Sequence, residues 1–174
     1  MANKNKIADI EIALDRDIFL RNLLRELSGT LETVIGIDEA AGFISLVGQH
    51  IGDWINVEYC KTLQQEKLSL EQVKDVLVDL KSRIQGGFSI ESADNDKIIL
   101  VNNRCPFGDK VIGRSSLCMM TSNVFGTITA ENLGYAKVSL LKTIARGDSG
   151  CRVVINLNSV QTSSQDDGRE YFQS

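Results

Sequence analysis

The sequence contains one proline and one histidine among its 174 residues, and it has no long apolar run. The single histidine, His50, excludes a zinc finger with Cys and His ligands, and no Cys-x-x-Cys pair is present. No stretch approaches the ~18 apolar residues of a membrane-spanning helix, and residues 1–6 lack the apolar core of a signal peptide. We therefore expect a cytoplasmic protein that does not associate with membranes.

The sequence also lacks the residues that are characteristic of nucleic-acid-binding proteins and of common enzyme classes. The net charge is −4 and no long basic run is present, which argues against binding to nucleic acid. A phosphate-binding loop of the Gly-x-x-x-x-Gly-Lys-Ser/Thr type is absent, and the acidic residues are scattered rather than paired. A hydrolytic triad would need His50 as its base, but this residue falls on a predicted helix beside glycines. We accordingly expect no catalytic residues and no enzymatic activity.

The cysteines are the most informative residues that are present. The only proline, Pro106, favours an extended conformation for Cys105, which places this thiol at the end of a strand. Cys118 follows after twelve intervening residues, at the start of a predicted helix. Cys151 comes after another thirty-two residues and a tight Gly-Asp-Ser-Gly turn, where a strand begins. The pattern predicts that three thiols from three elements converge.

The periodicity of apolar residues predicts an α+β fold. Apolar residues at helical spacing indicate helices from about residue 15, over 38–61, after a capping box at Ser69, and over 115–132. Alternating or continuous apolar runs indicate strands at 88–92, 97–102, 135–143 and 151–157. We therefore expect an antiparallel four-stranded sheet, made of two hairpins and covered by about four helices. The domain would span residues 15–157, between an N-terminal arm (1–14) and a flexible C-terminal tail (158–174).

The second predicted helix is rich in glycine, which costs up to ~1 kcal/mol for each residue in a helix interior. Gly48 and Gly52 would allow another backbone to approach closely. This helix either packs tightly on the first helix, forms a homodimer seam, or lines a ligand cavity. For a ligand cavity, the expected lining is apolar and comprises Phe43, Val47, Ile51 and Trp54 of this helix and Phe125 of the fourth.

Thiolates are good ligands for zinc and for iron–sulfur clusters. Cys105, Cys118 and Cys151 would supply three ligands, and the candidates for a fourth are Cys60, His50, Asp109 and Asp148. Two other interpretations stay open. The thiols are either small buried side chains that only pack, or groups that sense oxidants or electrophiles.

Several segments of the chain resemble one known family, with the likeness running from residue 15 to 157. They are residues 21–27, 34–36, 39–48, 105–108, 117–121 and 147–153. The family is the methanogen output domain, which is similar to 4-vinyl-reductase-type sensor domains with clustered cysteines near a sheet end. The resemblance implies a sensor or accessory signalling domain that is usually dimeric. The cysteine segments are also similar to the C-terminal part of bacterial repressors that sense iron–sulfur clusters, but no winged helix is present here.

The leading hypothesis is a cytosolic signalling module without enzymatic activity. It would bind a small hydrophobic ligand, or a zinc ion or iron–sulfur cluster held by cysteines, and transmit this state to a partner protein as a homodimer. One alternative is a metal-free dimerisation or scaffold domain whose cysteines only pack. Another is a reductase-like enzyme that acts on a bound ligand.

Overall fold

The computed structural model describes residues 11–159 and 168–174. Within these ranges the chain forms four α-helices, which are Arg16–Ile35 (α1), Ile37–Leu63 (α2), Leu70–Arg83 (α3) and Cys118–Leu133 (α4). Its strands are Phe88–Ala93 (β1), Lys97–Asn102 (β2), Tyr135–Lys142 (β3), Cys151–Asn156 (β4) and Arg169–Phe172 (β5). They form one antiparallel sheet in the order β1-β2-β4-β3-β5. The predicted α+β class is confirmed.

The sheet has five strands in the described ranges, whereas the sequence predicted four. The additional strand, β5, pairs with β3 and lies within the stretch that was expected to be a flexible tail. Tyr171 anchors it, because its ring occupies the space above α4 where Gly126 has no side chain, and its hydroxyl hydrogen-bonds Ser122 at 2.9 Å. A four-residue strand is too short to show a convincing alternation. Residues 160–167, and the predicted arm up to residue 10, lie outside the described residues.

The main core lies between the sheet and the helices α3 and α4. The predicted capping box is present, with the Ser69 hydroxyl accepting from the Gln72 amide and the Gln72 side chain accepting from the Ser69 amide. It starts α3 in a position that buries Val73 and Leu77 completely. Helix α4 contacts β3 and β5 as well as α2, and its middle is therefore buried on nearly all sides.

The glycines of α2 allow close packing against α4, not against α1 as one of the interpretations expected. A Cβ atom on Gly48 would lie 2.9 Å from the Asn123 Cβ, and one on Gly52 would lie 2.9 Å from the Thr127 Cβ. Such distances are too short for real side chains, so these two positions have room for hydrogen only. The close approach of α2 to α4 compensates the poor helix propensity of glycine.

Gly52→Ala is expected to destabilise the domain by about 2 kcal/mol, because overpacking of a tight interface outweighs the gain in helix propensity. Gly42→Ala is the matched control on the same helix, since a Cβ there would meet no atom within 4 Å. It is expected to stabilise the domain by up to about 1 kcal/mol. Urea unfolding of both variants measures the difference. Equal stabilisation by the two substitutions would contradict the close approach of α2 to α4.

Helix α1 packs on the domain through its polar side. Arg25 Nη1 donates to the carbonyl oxygens of Lys110 at 2.7 Å and Ile112 at 2.9 Å, and the Glu32 carboxylate accepts from the Ser116 hydroxyl at 2.6 Å. The predicted apolar stripe of this helix instead faces outward. Five of its side chains are 38 % to 56 % exposed, and we call them the α1 stripe: Phe19, Leu20, Leu23, Leu24 and Leu27.

None of the helices in the described part of the chain combines the length and the apolar character that crossing a bilayer requires.

Candidate ligand-binding site

Three cysteines meet at one end of the sheet. Cys105 follows β2, Cys118 is the first residue of α4, and Cys151 is the first residue of β4. The end of β2 is tied to the start of β4 by Asn102, whose side-chain oxygen accepts from the Cys151 amide at 2.9 Å. Its amide nitrogen donates to the Arg104 carbonyl at 3.1 Å and so turns the chain towards Cys105. The thiols that the sequence predicted to converge therefore line a single cavity.

This cysteine-lined cavity is small and mainly apolar. Its volume of about 30 Å³ is enough for one or two water-sized molecules. Its walls are formed by the sheet, by the start of α4, by the two 3₁₀ turns that precede α4, and by the 3₁₀ turn between β3 and β4. Besides the three cysteines, these walls comprise Phe88, Asn102, Pro106, Phe107, Val111, Leu117, Thr121, Leu140, Thr143, Ile144, Ala145 and Val153.

The thiols in the cavity are protonated at neutral pH. Burial raises the pKa of Cys118 to about 11 and also raises the pKa values of Cys105 and Cys151. The neighbouring Arg152 does not oppose this effect, because its guanidinium is paired with Glu91. Neutral thiols behave as small apolar groups, and they make the cavity suitable for apolar atoms.

A buried lysine lies beside this cavity. Lys81 is only 3 % exposed, and its ammonium donates to the Thr121 hydroxyl at 2.9 Å. The nitrogen also lies 5.1 Å from the ring centre of Phe125 and 5.7 Å from that of Phe88. Burial lowers the pKa of Lys81 to about 8, which leaves it mostly charged at pH 7.

The sequence interpretation did not identify Lys81 as a functional residue, although a signal was present. Lys81 follows Val73 and Leu77 at four-residue spacing and therefore falls on the buried stripe of α3. A lysine at such a position must be either buried or displaced to the edge of the stripe. Ile84, which lies three residues after Lys81 and just beyond the end of α3, is exposed.

No group of three or more His, Cys, Asp and Glu side chains is arranged to hold a metal ion within residues 11–159 and 168–174. The candidates for a fourth ligand do not line the cavity. Asp148 accepts from the Thr143 amide at 2.8 Å, and the Cys60 thiol is near the side-chain oxygens of Asn56 and Asn132. A zinc ion or iron–sulfur cluster at Cys105, Cys118 and Cys151 stays a prediction.

The structure does not bring together the five residues that were expected to line a ligand cavity. Phe43, Val47 and Trp54 are exposed on α2, because the glycine side of this helix faces α4 and turns them outward. Ile51 is partly buried against the main core. Phe125 is fully buried beneath Lys81, where its ring packs edge-on against Phe88 at 5.4 Å. None of the five lines the cysteine-lined cavity.

Solved structures share this α+β fold at low sequence identity. The phenol-responsive sensory domain of the transcription activator PoxR, solved with phenol, is similar with a TM-score of 0.64 and 16% identity, over 84% of this chain and 76% of that chain. Trafficking protein particle complex subunit 3 from Naegleria fowleri, covalently bound to palmitic acid, is similar with a TM-score of 0.53 and 14% identity, over 90% of this chain and 99% of that chain. No curated protein sequence matches the chain significantly.

The family model of methanogen output domain 1 matches residues 23–156, which is well over half of the chain. The chain therefore belongs to the methanogen output domain 1 family, as the resemblance of its sequence segments predicted. This membership makes the chain an output domain, which is a class of signalling module.

Proposed function

We propose that the chain senses a small apolar molecule, which binds in the cysteine-lined cavity, and signals its presence to a partner protein. The observation that carries this proposal is the small, mainly apolar cavity, whose walls contain neutral thiols from three separate parts of the chain. Family membership supports the signalling part. The structure of the PoxR sensory domain with phenol shows that a similar fold accommodates a small aromatic ligand.

The connection between β2 and α4 links this cavity to α1. Val111 and Leu117 line the cavity, while the adjacent carbonyl groups of Lys110 and Ile112 accept hydrogen bonds from Arg25 of α1. A ligand that enlarges the cavity would displace this connection and, with it, α1. The α1 stripe would transmit the displacement to a second copy of the chain, because five large apolar side chains on one helix face are suited to pairing in a homodimer.

Alkylation of the cysteines tests ligand binding directly. Saturating phenol or toluene is expected to slow the reaction of Cys105, Cys118 and Cys151 with iodoacetamide at least several-fold. Cys60, which is half-buried outside the cavity, serves as the internal control and is expected to react at an unchanged rate. Peptide mass spectrometry measures the four rates separately. Unchanged rates at all four cysteines with both probes would contradict the proposed cavity ligand.

A metal ion or cluster is a second candidate ligand, and the shared lining of one cavity by three thiols favours it. The thiols would have to lose their protons and adopt a metal-binding arrangement, which no group of three such side chains has in the described part of the chain. Metal analysis of anaerobically purified protein distinguishes the two candidates. Stoichiometric zinc, or the brown colour of an iron–sulfur cluster, would support a metal role, and loss of either in Cys118→Ser would assign it to this cavity.

A further inference from the structure

Lys81 is a buried cation on α3. Among the described residues, no carboxylate lies within ion-pair distance of its ammonium, and the Thr121 hydroxyl is its hydrogen-bond acceptor. The nearby thiols do not supply the missing charge, because burial keeps them protonated. An ammonium group has three donors, and besides the Thr121 hydroxyl the Lys81 ammonium has the rings of Phe88 and Phe125 as neighbours, which carry no formal charge. A buried charge is normally paired, which suggests that its partner is an external anion.

A second hollow lies on the outer side of Lys81, between α1, α3 and the start of α4. This hollow, here called the vestibule, has a volume of about 390 Å³. It shares three wall residues, Pro106, Phe107 and Thr121, with the cysteine-lined cavity. Lys81 lines the vestibule and contacts Phe88 of the inner cavity, and it therefore lies where the two spaces adjoin.

The vestibule carries an excess of positive charge. Its ionisable lining residues are Arg21, Lys81 and Arg83 against a single carboxylate, Asp17. Asp17 is already paired with Arg21 Nη2 at 2.7 Å, and Arg83 is paired with Asp79 at 2.6 Å. Within the described part of the chain, however, Arg21 Nε is buried without any hydrogen-bond partner. In the described part of the chain, the vestibule thus brings the unpartnered Arg21 Nε together with the Lys81 ammonium, whose acceptor is the neutral hydroxyl of Thr121.

We propose that the ligand is a small amphiphilic monocarboxylate, whose carboxylate binds Lys81 and Arg21 in the vestibule and whose apolar tail enters the cysteine-lined cavity. The inference deepens the proposed sensing function and rests on it, since it names the class of molecule. A carboxylate has two acceptor oxygens, which can satisfy the free donors of an ammonium and a guanidinium together. The small volume of the inner cavity calls for a narrow, flexible tail that can displace its walls. The apolar side chains Leu20 and Leu24 of α1 border the vestibule, so a bound head group would lie against the helix that carries the α1 stripe.

Isothermal titration with matched pairs of probes tests this ligand class. The probes are butanoate, hexanoate and octanoate, each compared with the 1-alcohol of equal chain length, at pH 7. For the wild type, at least one carboxylate is expected to bind about tenfold or more tightly than its alcohol, as hydrogen bonds to charged groups are worth more than neutral ones. Lys81→Met, which keeps the length and apolar stem of the side chain, is expected to abolish this preference, so that the acid and the alcohol of equal chain length bind with similar affinity.

Two further variants test whether the preference for the carboxylate depends on the residues of the vestibule. Arg21→Gln is expected to reduce the preference for the carboxylate by several-fold. Lys74→Met, the same substitution as at position 81 but on the far end of α3, does not line either space and is expected to bind like the wild type. Equal affinities for acid and alcohol, or carboxylate binding that survives Lys81→Met, would overturn the inference. In that case, protection of the three cavity thiols from alkylation by the alcohols would still support the apolar cavity as the ligand site. If no probe bound or protected the thiols, both the carboxylate inference and the proposed sensing function would be rejected.

Discussion

Lys81→Met is expected to raise the free energy of unfolding at pH 7 by about 2 kcal/mol. Holding a charged Lys81 with a pKa of about 8, rather than its ordinary 10.5, costs the folded state about 3 kcal/mol. The substitution removes this cost but also removes the hydrogen bond to Thr121, which is worth about 1 kcal/mol. Chemical denaturation of the ligand-free protein measures the change. A domain that keeps such a costly group is expected to need it for binding.

The pH dependence of the free energy of unfolding tests whether the charge of Lys81 causes this destabilisation of the wild type. The folded state releases the Lys81 proton near pH 8, whereas the unfolded chain keeps it up to about pH 10.5. The penalty is therefore fully present below pH 8, and the wild type gains stability as the pH rises above 8. Cys118 opposes this trend from about pH 9 upwards, because its pKa of about 11 in the folded state exceeds the ordinary value of 9.0. The gain should be clearest between pH 8 and 9.

The rise in stability is expected to be absent from Lys81→Met and retained in Lys74→Met, because Lys74 is already paired with Glu71 of the same helix. Unfolding curves at pH 7, 8 and 9 for the three proteins provide the comparison. If Lys81→Met were less stable than the wild type, or showed the same pH profile, the ammonium would have an anionic partner inside the folded protein.

The double substitution Leu23→Glu and Leu27→Glu is expected to convert the proposed homodimer into monomers without unfolding the domain. Both side chains belong to the α1 stripe, and burying a leucine on association contributes about 1.5–3 kcal/mol. Replacing two leucines in each copy would thus remove several kcal/mol and place four carboxylates at the interface. Such a loss raises the dissociation constant by more than a hundredfold. Sedimentation equilibrium measures the molar mass, and circular dichroism verifies that the fold is intact.

Leu141→Glu is the matched control for the dimer experiment. Leu141 on β3 is 51 % exposed, close to the 53 % of Leu27, but it lies outside the α1 stripe. This variant is expected to remain a dimer. A wild type that sediments as a monomer, or a double variant that remains a dimer, would reject the stripe as the surface for self-association.

The order and type of most elements could be predicted, because each has a local cause in the sequence. The capping box at Ser69, the alternation in β1 and the continuous apolar run in β2 are all short-range patterns. The approach of the three cysteines also followed from local features, since Pro106 and the glycine turns leave the chain few ways to connect β2, α4 and β4. By contrast, β5 escaped prediction because its stability comes from Tyr171 packing at Gly126, a contact between distant parts of the chain.

The sequence alone determined the family, the α+β class and the meeting of three thiols, because these depend on motifs and on periodicity. Only the tertiary structure decided which side of each helix is buried. Periodicity locates an apolar face but does not say what covers it, and so α1 turned its leucines outward while α2 turned its glycines towards α4. The position of Lys81 likewise depended on three elements packing around one ammonium, which no spacing along the chain encodes.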